Sequence, residues 1–146
     1  MLINIYKDKK VLVTGHTGFK GSWLLAWLQL LGAKVIGLSL EPNTNPAHFS
    51  LLDLDIESYF VDIRDTKKIE DIISKVQPEA LFHLAAQPLV RESYIDPIYT
   101  FATNIMGTAN VLNASRNVES LRAIVVVTSD KCYENREWIW PYRENE

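Results

Sequence analysis

Short, nearly continuous apolar runs alternate along this chain with longer stretches in which apolar residues recur at helical spacing. The short runs are typical of strands that are buried on both faces of a parallel sheet, and the spaced stretches are typical of helices that pack against such a sheet. The pattern predicts strands over residues 10–14, 33–40, 59–62, 80–85 and 121–128, and helices over residues 19–31, 66–76 and 98–117.

The alternation of these elements predicts the fold class. Strand and helix follow one another regularly, which predicts an α/β fold, a Rossmann-type doubly wound parallel sheet with right-handed crossovers. Residues 41–50 are predicted to be a loop with a possible helical turn over residues 48–54, and residues 87–97 are predicted to be irregular. Because no closing helix follows the fifth strand, we expect the sheet to be truncated there and the chain to be the N-terminal part of a longer domain.

The predicted first helix is rich in large apolar residues, among them Trp23 and Trp27. Together with Phe19 and Leu28 these residues follow the helical period, which is typical of a helix that lies on a sheet. We therefore predict that the two tryptophans belong to the core rather than to a ligand site. Gly32 is the predicted C-cap of this helix.

Composition indicates one domain and excludes several classes of partner. The chain has 146 residues, of which 47% are apolar and 23% are charged, as in an ordinary globular domain. A net charge of −3 without a basic stripe argues against a nucleic-acid partner, and no apolar run is long enough to span a membrane. The single cysteine, Cys132, fits a reducing compartment, so we expect a cytoplasmic protein. The histidines are scattered, so no metal site is predicted.

A glycine-rich turn between the first strand and the first helix is the first candidate site. Gly15, Gly18 and Gly21 follow the spacing G-x-x-G-x-x-G, which is one variant of the dinucleotide fingerprint. Gly15 permits a sharp turn, Gly18 lets the backbone approach a diphosphate, and Gly21 lets the helix pack closely on the sheet. The diphosphate would lie at the helix N-terminus, which favours an anion. Three neighbours would lie near the phosphates, namely Thr17, Phe19 and Lys20.

Ligands of such sheets bind beyond the carboxyl ends of the strands, and this rule selects further candidates. Ser39 lies nearest the tip of the second strand and Glu41 follows it, so the acidic residue that marks NAD is ambiguous and NADP stays open. After the third strand, Asp62 would accept a hydrogen bond from an adenine amino group. The alternative for Asp62 is a helix N-cap, for which Asp65 or Thr66 is better placed.

The ends of the fourth and fifth strands add small and polar residues. Leu84, Ala85, Ala86 and Gln87 would let a cofactor lie close to the backbone. The run Thr128-Ser129-Asp130-Lys131 places hydroxyl, carboxylate and ammonium groups at a strand tip, which suggests acid–base chemistry. Considered alone, this run is more typical of a solvated turn with an internal ion pair.

Several motifs together resemble the extended short-chain dehydrogenases/reductases that act on nucleotide sugars. They are Thr14-Gly-x-x-Gly-x-x-Gly21, Asp62-Ile-Arg-Asp65, His83-Leu-Ala-Ala86, Asn104 and the Ser-Asp pair after the fifth strand. Three longer segments resemble the CDP-glucose 4,6-dehydratases within that family. They are Gly15 to Leu24, His83 to Arg91 and Thr128 to Asn135. Lys131 discriminates here, since the related dTDP-glucose and GDP-mannose dehydratases carry a Glu at that position.

The resemblance implies a function in deoxysugar and O-antigen lipopolysaccharide biosynthesis, the NAD-dependent conversion of CDP-glucose to CDP-4-keto-6-deoxyglucose. It implies that Ser129 bonds the C4 oxygen, that Asp130 protonates the departing C6 hydroxyl and that Lys131 serves in removing the C5 proton. Ile63 and Asn104 are implied to belong to the site. The resemblance also implies that the full-length protein is a homodimer or homotetramer.

One family feature is missing from its expected place. The family uses a Tyr-x-x-x-Lys pair, and neither Tyr133 nor Tyr142 has the lysine, so we expect the pair on a helix beyond this chain, together with a C-terminal sugar-binding domain. We expect the fragment alone to be inactive. Another nucleotide-sugar epimerase or dehydratase, or a non-catalytic dinucleotide-binding module, remains an alternative, although Asp130 and Lys131 favour a dehydratase.

Overall fold

A computed structural model describes residues 5–129 and 133–145. The strands are β1 (Lys10–Thr14), β2 (Lys34–Ser39), β3 (Glu57–Phe60), β4 (Ala80–His83) and β5 (Ala123–Val126). The helices are α1 (Phe19–Leu30), α2 (His48–Leu52), α3 (Thr66–Val76), α4 (Val90–Ile95), α5 (Pro97–Phe101) and α6 (Thr108–Ser115), and a π-helical segment, Ala102–Gly107, joins α5 to α6.

The strands form one parallel sheet in the order β3-β2-β1-β4-β5, with β1 at its centre. Alternate residues of β1 point to opposite faces, so Leu12 packs with α3 and α6, while Val11 and Val13 pack with α1. Both clusters consist of fully or nearly fully buried side chains. The predicted doubly wound α/β fold is therefore confirmed.

The observed elements differ from the predicted ones at several boundaries, including the ends of β4 and β5, and three further differences are larger. Strand β3 spans Glu57–Phe60 rather than residues 59–62, because it pairs with β2 from Ile36 to Ser39. The predicted irregular segment contains helix α4, which has six residues and none buried, so it is too short to show an apolar period in the sequence. The helix predicted over residues 98–117 begins at Pro97 and includes the π-helical segment.

The prediction that Trp23 and Trp27 belong to the core is wrong. Their side chains are 54% and 63% exposed, and the buried side of α1 consists of Gly21, Ser22, Leu25 and Leu28. Small residues face the sheet at the start of α1, so the helix approaches the sheet closely and its bulky residues lie on the outer side. The indole of Trp23 instead contacts the ring of His48 in α2, with 4.7 Å between ring centres.

The fifth strand lies at one edge of the described sheet, beside β4. Its side chains are more exposed than those of the central strands, at 38% for Ile124 and 46% for Val125. No helix within residues 5–129 and 133–145 has the length and apolar character needed to cross a membrane. The same residues contain no group of three or more His, Cys, Asp or Glu side chains arranged for a metal ion.

Candidate dinucleotide site

A cavity of about 770 Å³ opens at the carboxyl ends of the strands, where the turns that follow them converge. Its volume lies within the range of small-molecule and cofactor sites, roughly 300–1,000 Å³. Most of the predicted cofactor residues line it: Gly15, Gly18, Phe19, Lys20, Gly21, Ser39, Asp62, Ile63, Leu84, Ala85, Ala86, Gln87 and Thr128.

The glycine turn is built so tightly that side chains are excluded from it. Gly15 has φ +72°, and a Cβ there would lie 2.7 Å from the backbone nitrogen of Ala85. A Cβ on Gly21 would lie 2.1 Å from the carbonyl oxygen of Gly15. Gly18 is the N-cap of α1 and provides no capping side chain, so the first N–H groups of the helix are left to an anion from the cavity.

His16 lies inside the same turn, is not among the cavity-lining residues, and packs its ring against β2 and β3. Its side chain is fully buried and its Nε2 lies 3.1 Å from Ser58 Oγ on β3. The ring occupies the space above Gly37, where a Cβ would come within 2.4 Å of His16 Cδ2. Burial lowers the pKa of His16 from 6.5 to about 4, so the ring is neutral at physiological pH. From the sequence, His16 was noted only as one of the scattered histidines, and this packing role was not predicted.

At the end of β2, two hydroxyl groups fix the position of the strand tip. Thr17 Oγ1 donates to the carbonyl oxygen of Leu40 at 2.9 Å, so Ser39 donates its own hydroxyl proton to Thr17 Oγ1, also at 2.9 Å. Ser39 and Glu41 line the cavity, whereas Thr17 holds Ser39 and is not among the lining residues. Lys20 is the one lysine or arginine among the described lining residues.

At the end of β3, the structure separates the two carboxylates that the sequence left ambiguous. Asp65 is the N-cap of α3 and accepts from the backbone N–H of Lys68 at 3.2 Å. Asp62 lines the cavity and is held by Arg64 through both carboxylate oxygens. Hydrogen bonds from Arg64 hold the pKa of Asp62 below its usual range, so Asp62 is an ionised acceptor.

The turn that carries Asp62 is anchored from the long helix. Asn110 Nδ2 donates to the carbonyl oxygen of Ile63 at 3.0 Å. The buried Ile63 side chain fills the space beside Gly107, where a Cβ would lie 2.5 Å from Ile63 Cδ1. The Ile63 side chain would have to shift to admit a Cβ at position 107, so the π-helical segment and the Asp62 turn pack closely against each other.

A buried hydrogen-bond chain connects the ends of β1 and β4 to the long helix. Thr108 donates to the carbonyl oxygen of Asn104, so Thr108 Oγ1 accepts from His83 Nε2, at 2.9 Å. His83 Nδ1 therefore accepts from Thr14 Oγ1 at 2.7 Å, and Thr14 Oγ1 also accepts from the N–H of Leu84. Burial lowers the pKa of His83, which is consistent with this neutral tautomer. Sequence reasoning quoted His83 as part of a motif and missed this role.

The π-helical segment positions the loop after β4. Asn104 Oδ1 accepts from the backbone N–H of Gln87 at 2.7 Å, and Asn104 Nδ2 donates to the Gln87 carbonyl oxygen at 3.0 Å. Both polar atoms of Asn104 are therefore used to hold the loop, and Asn104 is not among the cavity-lining residues. Its neighbour Thr103 lines the cavity with a buried hydroxyl that has no hydrogen-bond partner within the described chain. Nothing in the sequence distinguished Thr103.

The predicted catalytic residues follow β5. Thr128 lines the cavity at the strand tip, and Ser129 comes next and is exposed. Asp130 and Lys131 lie outside the described residues. The roles of all three predicted catalytic residues, Ser129, Asp130 and Lys131, stay predictions.

A family model described as GDP-mannose 4,6 dehydratase matches residues 12–145. The chain belongs to this family. It is 52% identical over 145 residues to a CDP-glucose 4,6-dehydratase of Salmonella typhimurium, which covers 98% of this chain and 40% of that protein. The predicted resemblance to nucleotide-sugar dehydratases and epimerases is thereby confirmed.

Solved structures show the same fold in related enzymes. The epimerase Mth375 of Methanothermobacter thermautotrophicus is 28% identical with a TM-score of 0.85, over 98% of this chain and 42% of that one. A UDP-glucose-4-epimerase of Stenotrophomonas maltophila with bound NAD and formylated UDP-arabinopyranose is 26% identical with a TM-score of 0.78, over 90% of this chain and 40% of that one. The chain thus spans about two fifths of the length of the family members that it matches.

Proposed function

We propose that this chain is part of a CDP-glucose 4,6-dehydratase that binds NAD and loses water from C6 of the sugar. The observation that carries the proposal is the 52% identity over 98% of the chain with an enzyme of that name. The chain would supply the N-terminal part of the NAD-binding domain, and the rest of the protein the Tyr-x-x-x-Lys pair and the sugar-binding domain. A lyase of this kind would serve deoxysugar and lipopolysaccharide synthesis in the cytoplasm, as a homodimer or homotetramer.

The residues at the cavity fit a dinucleotide. The glycine turn packs so closely that a Cβ on Gly15 or Gly21 would meet backbone atoms, and the helix N-terminus that follows it favours an anion. The ionised Asp62 suits the adenine amino group. Ser39 ends β2 and Glu41 follows it, at the place where a ribose 2′-phosphate of NADP would need a cation, so the proposal is NAD. Tighter binding of NADP than of NAD in a titration of the intact protein would overturn this assignment.

When bound, the nicotinamide would supply hydride transfer from C4 of the sugar and back to C6. Thr128 borders the cavity, which supports a role in the reaction for the residues that follow it in the sequence. Ser129 would donate to the C4 oxygen, Asp130 would protonate the departing C6 hydroxyl, and Lys131 would accept the C5 proton, which the C4 ketone makes acidic. A general acid and base of this kind contribute roughly 10²–10⁴-fold each.

The decisive experiment incubates the intact protein with CDP-glucose and NAD and weighs the product by mass spectrometry. A dehydratase yields a nucleotide sugar that is lighter by one water, whereas an epimerase yields an isomer of unchanged mass. A non-catalytic dinucleotide-binding module binds NAD and leaves the sugar unchanged. Either of the last two results would overturn the proposal.

The role of Lys131 is tested with Lys131→Met in the intact protein. We expect dehydration to slow by roughly 10²–10⁴-fold while hydride transfer to NAD persists. The matched control is Lys67→Met, which removes a lysine that is 85% exposed on α3 and should leave turnover unchanged. Exchange of the C5 hydrogen with deuterated water at the wild-type rate in Lys131→Met would contradict the role.

A further inference from the structure

Arg64 holds both oxygens of the Asp62 carboxylate from a position two residues away. Its backbone N–H donates to Asp62 Oδ1 at 2.8 Å, and its Nη2 donates to Asp62 Oδ2 at 2.6 Å. The Nε–H lies between the two oxygens, 3.0 Å from each. This is a fork that grips a carboxylate in its own plane and fixes its rotation, which a single ammonium group cannot do.

The hydrogen bonds from Arg64 leave the Asp62 carboxylate able to accept one more hydrogen bond. An ionised carboxylate has about four acceptor positions. Arg64 fills three of them when its shared Nε–H is counted once, and the Asp62 side chain is still 27% exposed, so one position remains for a further donor. Because Asp62 lines the cavity, that position is available to a single donor on a ligand.

The guanidinium of Arg64 is itself held from a second element. Its central carbon lies 4.5 Å from the ring centre of Tyr99 in α5, in a cation–π contact. The negative charge of Asp96, at the start of α5, also favours the Arg64 cation. Tyr99 lines the cavity as well, so the contacts of Arg64 with Asp62 and Tyr99 connect the β3 turn to α5 at the end of the site proposed for adenine.

We propose that Arg64, braced by Tyr99, is a positioning residue that orients Asp62 so that its one remaining acceptor position selects an amino group. The inference rests on the proposed function, since the ligand that offers this amino group is the adenine of NAD. A purine with a carbonyl oxygen in place of the amino group presents an acceptor to an oriented carboxylate and is rejected. Without Arg64 the carboxylate rotates and binds water, and the discrimination disappears.

The test compares NAD with deamino-NAD, the hypoxanthine analogue, by calorimetric titration of the intact protein. We expect the wild type to bind NAD about tenfold or more tightly, as one hydrogen bond to a charged group supplies. In Arg64→Met and in Asp62→Asn the ratio of the two dissociation constants falls towards one. Arg64→Lys keeps the charge without the fork and loses most of the ratio, and Tyr99→Leu loses part of it.

The ratio separates positioning from structural damage, because both cofactors are measured on the same sample and any misfolded fraction cancels. Lys67→Met is the matched control, since it removes a nearby exposed cation and should keep the wild-type ratio. A wild-type ratio in Arg64→Met, or a wild type that binds both cofactors equally, overturns the role of Arg64 and leaves the proposed function standing. Failure of the wild type to bind either cofactor overturns the proposed function and this inference together.

Discussion

Strands β1 and β5 have the same apolar pattern in the sequence and opposite surroundings in the structure. Val11, Leu12 and Val13 of β1 are fully buried, whereas Ile124 and Val125 of β5 are between a third and a half exposed. Both strands belong to one sheet, and Leu12, Leu81 and Ile124 lie in one register row across β1, β4 and β5. The difference therefore does not arise from the residues themselves but from which elements cover them.

The two strands also differ where they end, since the residues that follow each of them line different parts of the cavity. The turn after β1 is fixed by contacts within the described chain, from the glycines to the His16 ring and the His83 hydrogen-bond chain. The tip of β5 has exposed neighbours and carries the predicted catalytic run. The side of the cavity at the glycine turn is thus fixed by contacts within the described chain, whereas the side at β5 is bordered by a partly exposed edge strand.

The largest expected effect is at the β1 turn. Gly21→Ala places a Cβ against the carbonyl oxygen of Gly15, which neither backbone can avoid, so we expect NAD binding to fall more than 100-fold or folding to fail. The control is Gly32→Ala after the same helix, where the Cβ makes an ordinary contact and only the positive φ costs about 1–2 kcal/mol. The measurements are an NAD titration and thermal unfolding. Unchanged NAD affinity in Gly21→Ala would contradict the tight turn.

The second prediction tests the two strands directly. Leu12→Thr leaves a cavity and a buried hydroxyl at the centre of the sheet, so unfolding should become easier by about 2–5 kcal/mol. Ile124→Thr replaces a half-exposed apolar side chain on an edge strand, so the 146-residue chain should become more soluble. The soluble fraction and its monomer content report the outcome. Equal loss of soluble protein from both substitutions would show that β5 is as buried as β1.

The third prediction concerns acid sensitivity behind the β1 turn. The folded protein keeps His16 neutral down to about pH 4, whereas the unfolded chain binds the proton near pH 6.5. Between these values the unfolded state holds more protons, so the free energy of unfolding falls as the pH falls, by up to about 3 kcal/mol in total. Burial of His83 acts in the same direction. Denaturation of the wild type and of His16→Asn from pH 7.5 to pH 4 should converge, and parallel curves would contradict the shift.

The smallest expected effect concerns the opposite edge of the sheet, and it tests whether β3 is held more firmly than β5. The turn after the opposite edge strand, β3, is anchored by Asn110, whose amide donates to the carbonyl oxygen of Ile63. Asn110→Ala should cost about 1 kcal/mol of stability. Asn113→Ala on the same helix is the control, since Asn113 is exposed and bonds Glu70 at 3.3 Å. Equal stability of the two variants in denaturant titrations would show that the β3 edge is not anchored in this way.

Some residues of the site could be predicted from the sequence and others could not. Gly15, Gly18, Gly21 and Asp62 were found because their residue types answer a chemical need at a known place in the fold. Thr103, His83 and the contact of Tyr99 with Arg64 were missed because they depend on how α5, the π-helical segment and the start of α6 lie against the strand ends. No local sequence pattern predicts the π-helical segment between the two helices.

The sequence by itself determined the order of strands and helices, the parallel sheet and the position of the glycine turn, because these follow from local periodicity and from backbone conformations that only glycine permits. Tertiary structure decided which apolar residues are covered, as the exposed Trp23, Trp27 and Ile124 show. It also decided that Asp62 faces the cavity while Asp65 caps a helix. Burial and hydrogen bonding are properties of the elements that surround a residue, and those elements come from distant parts of the chain.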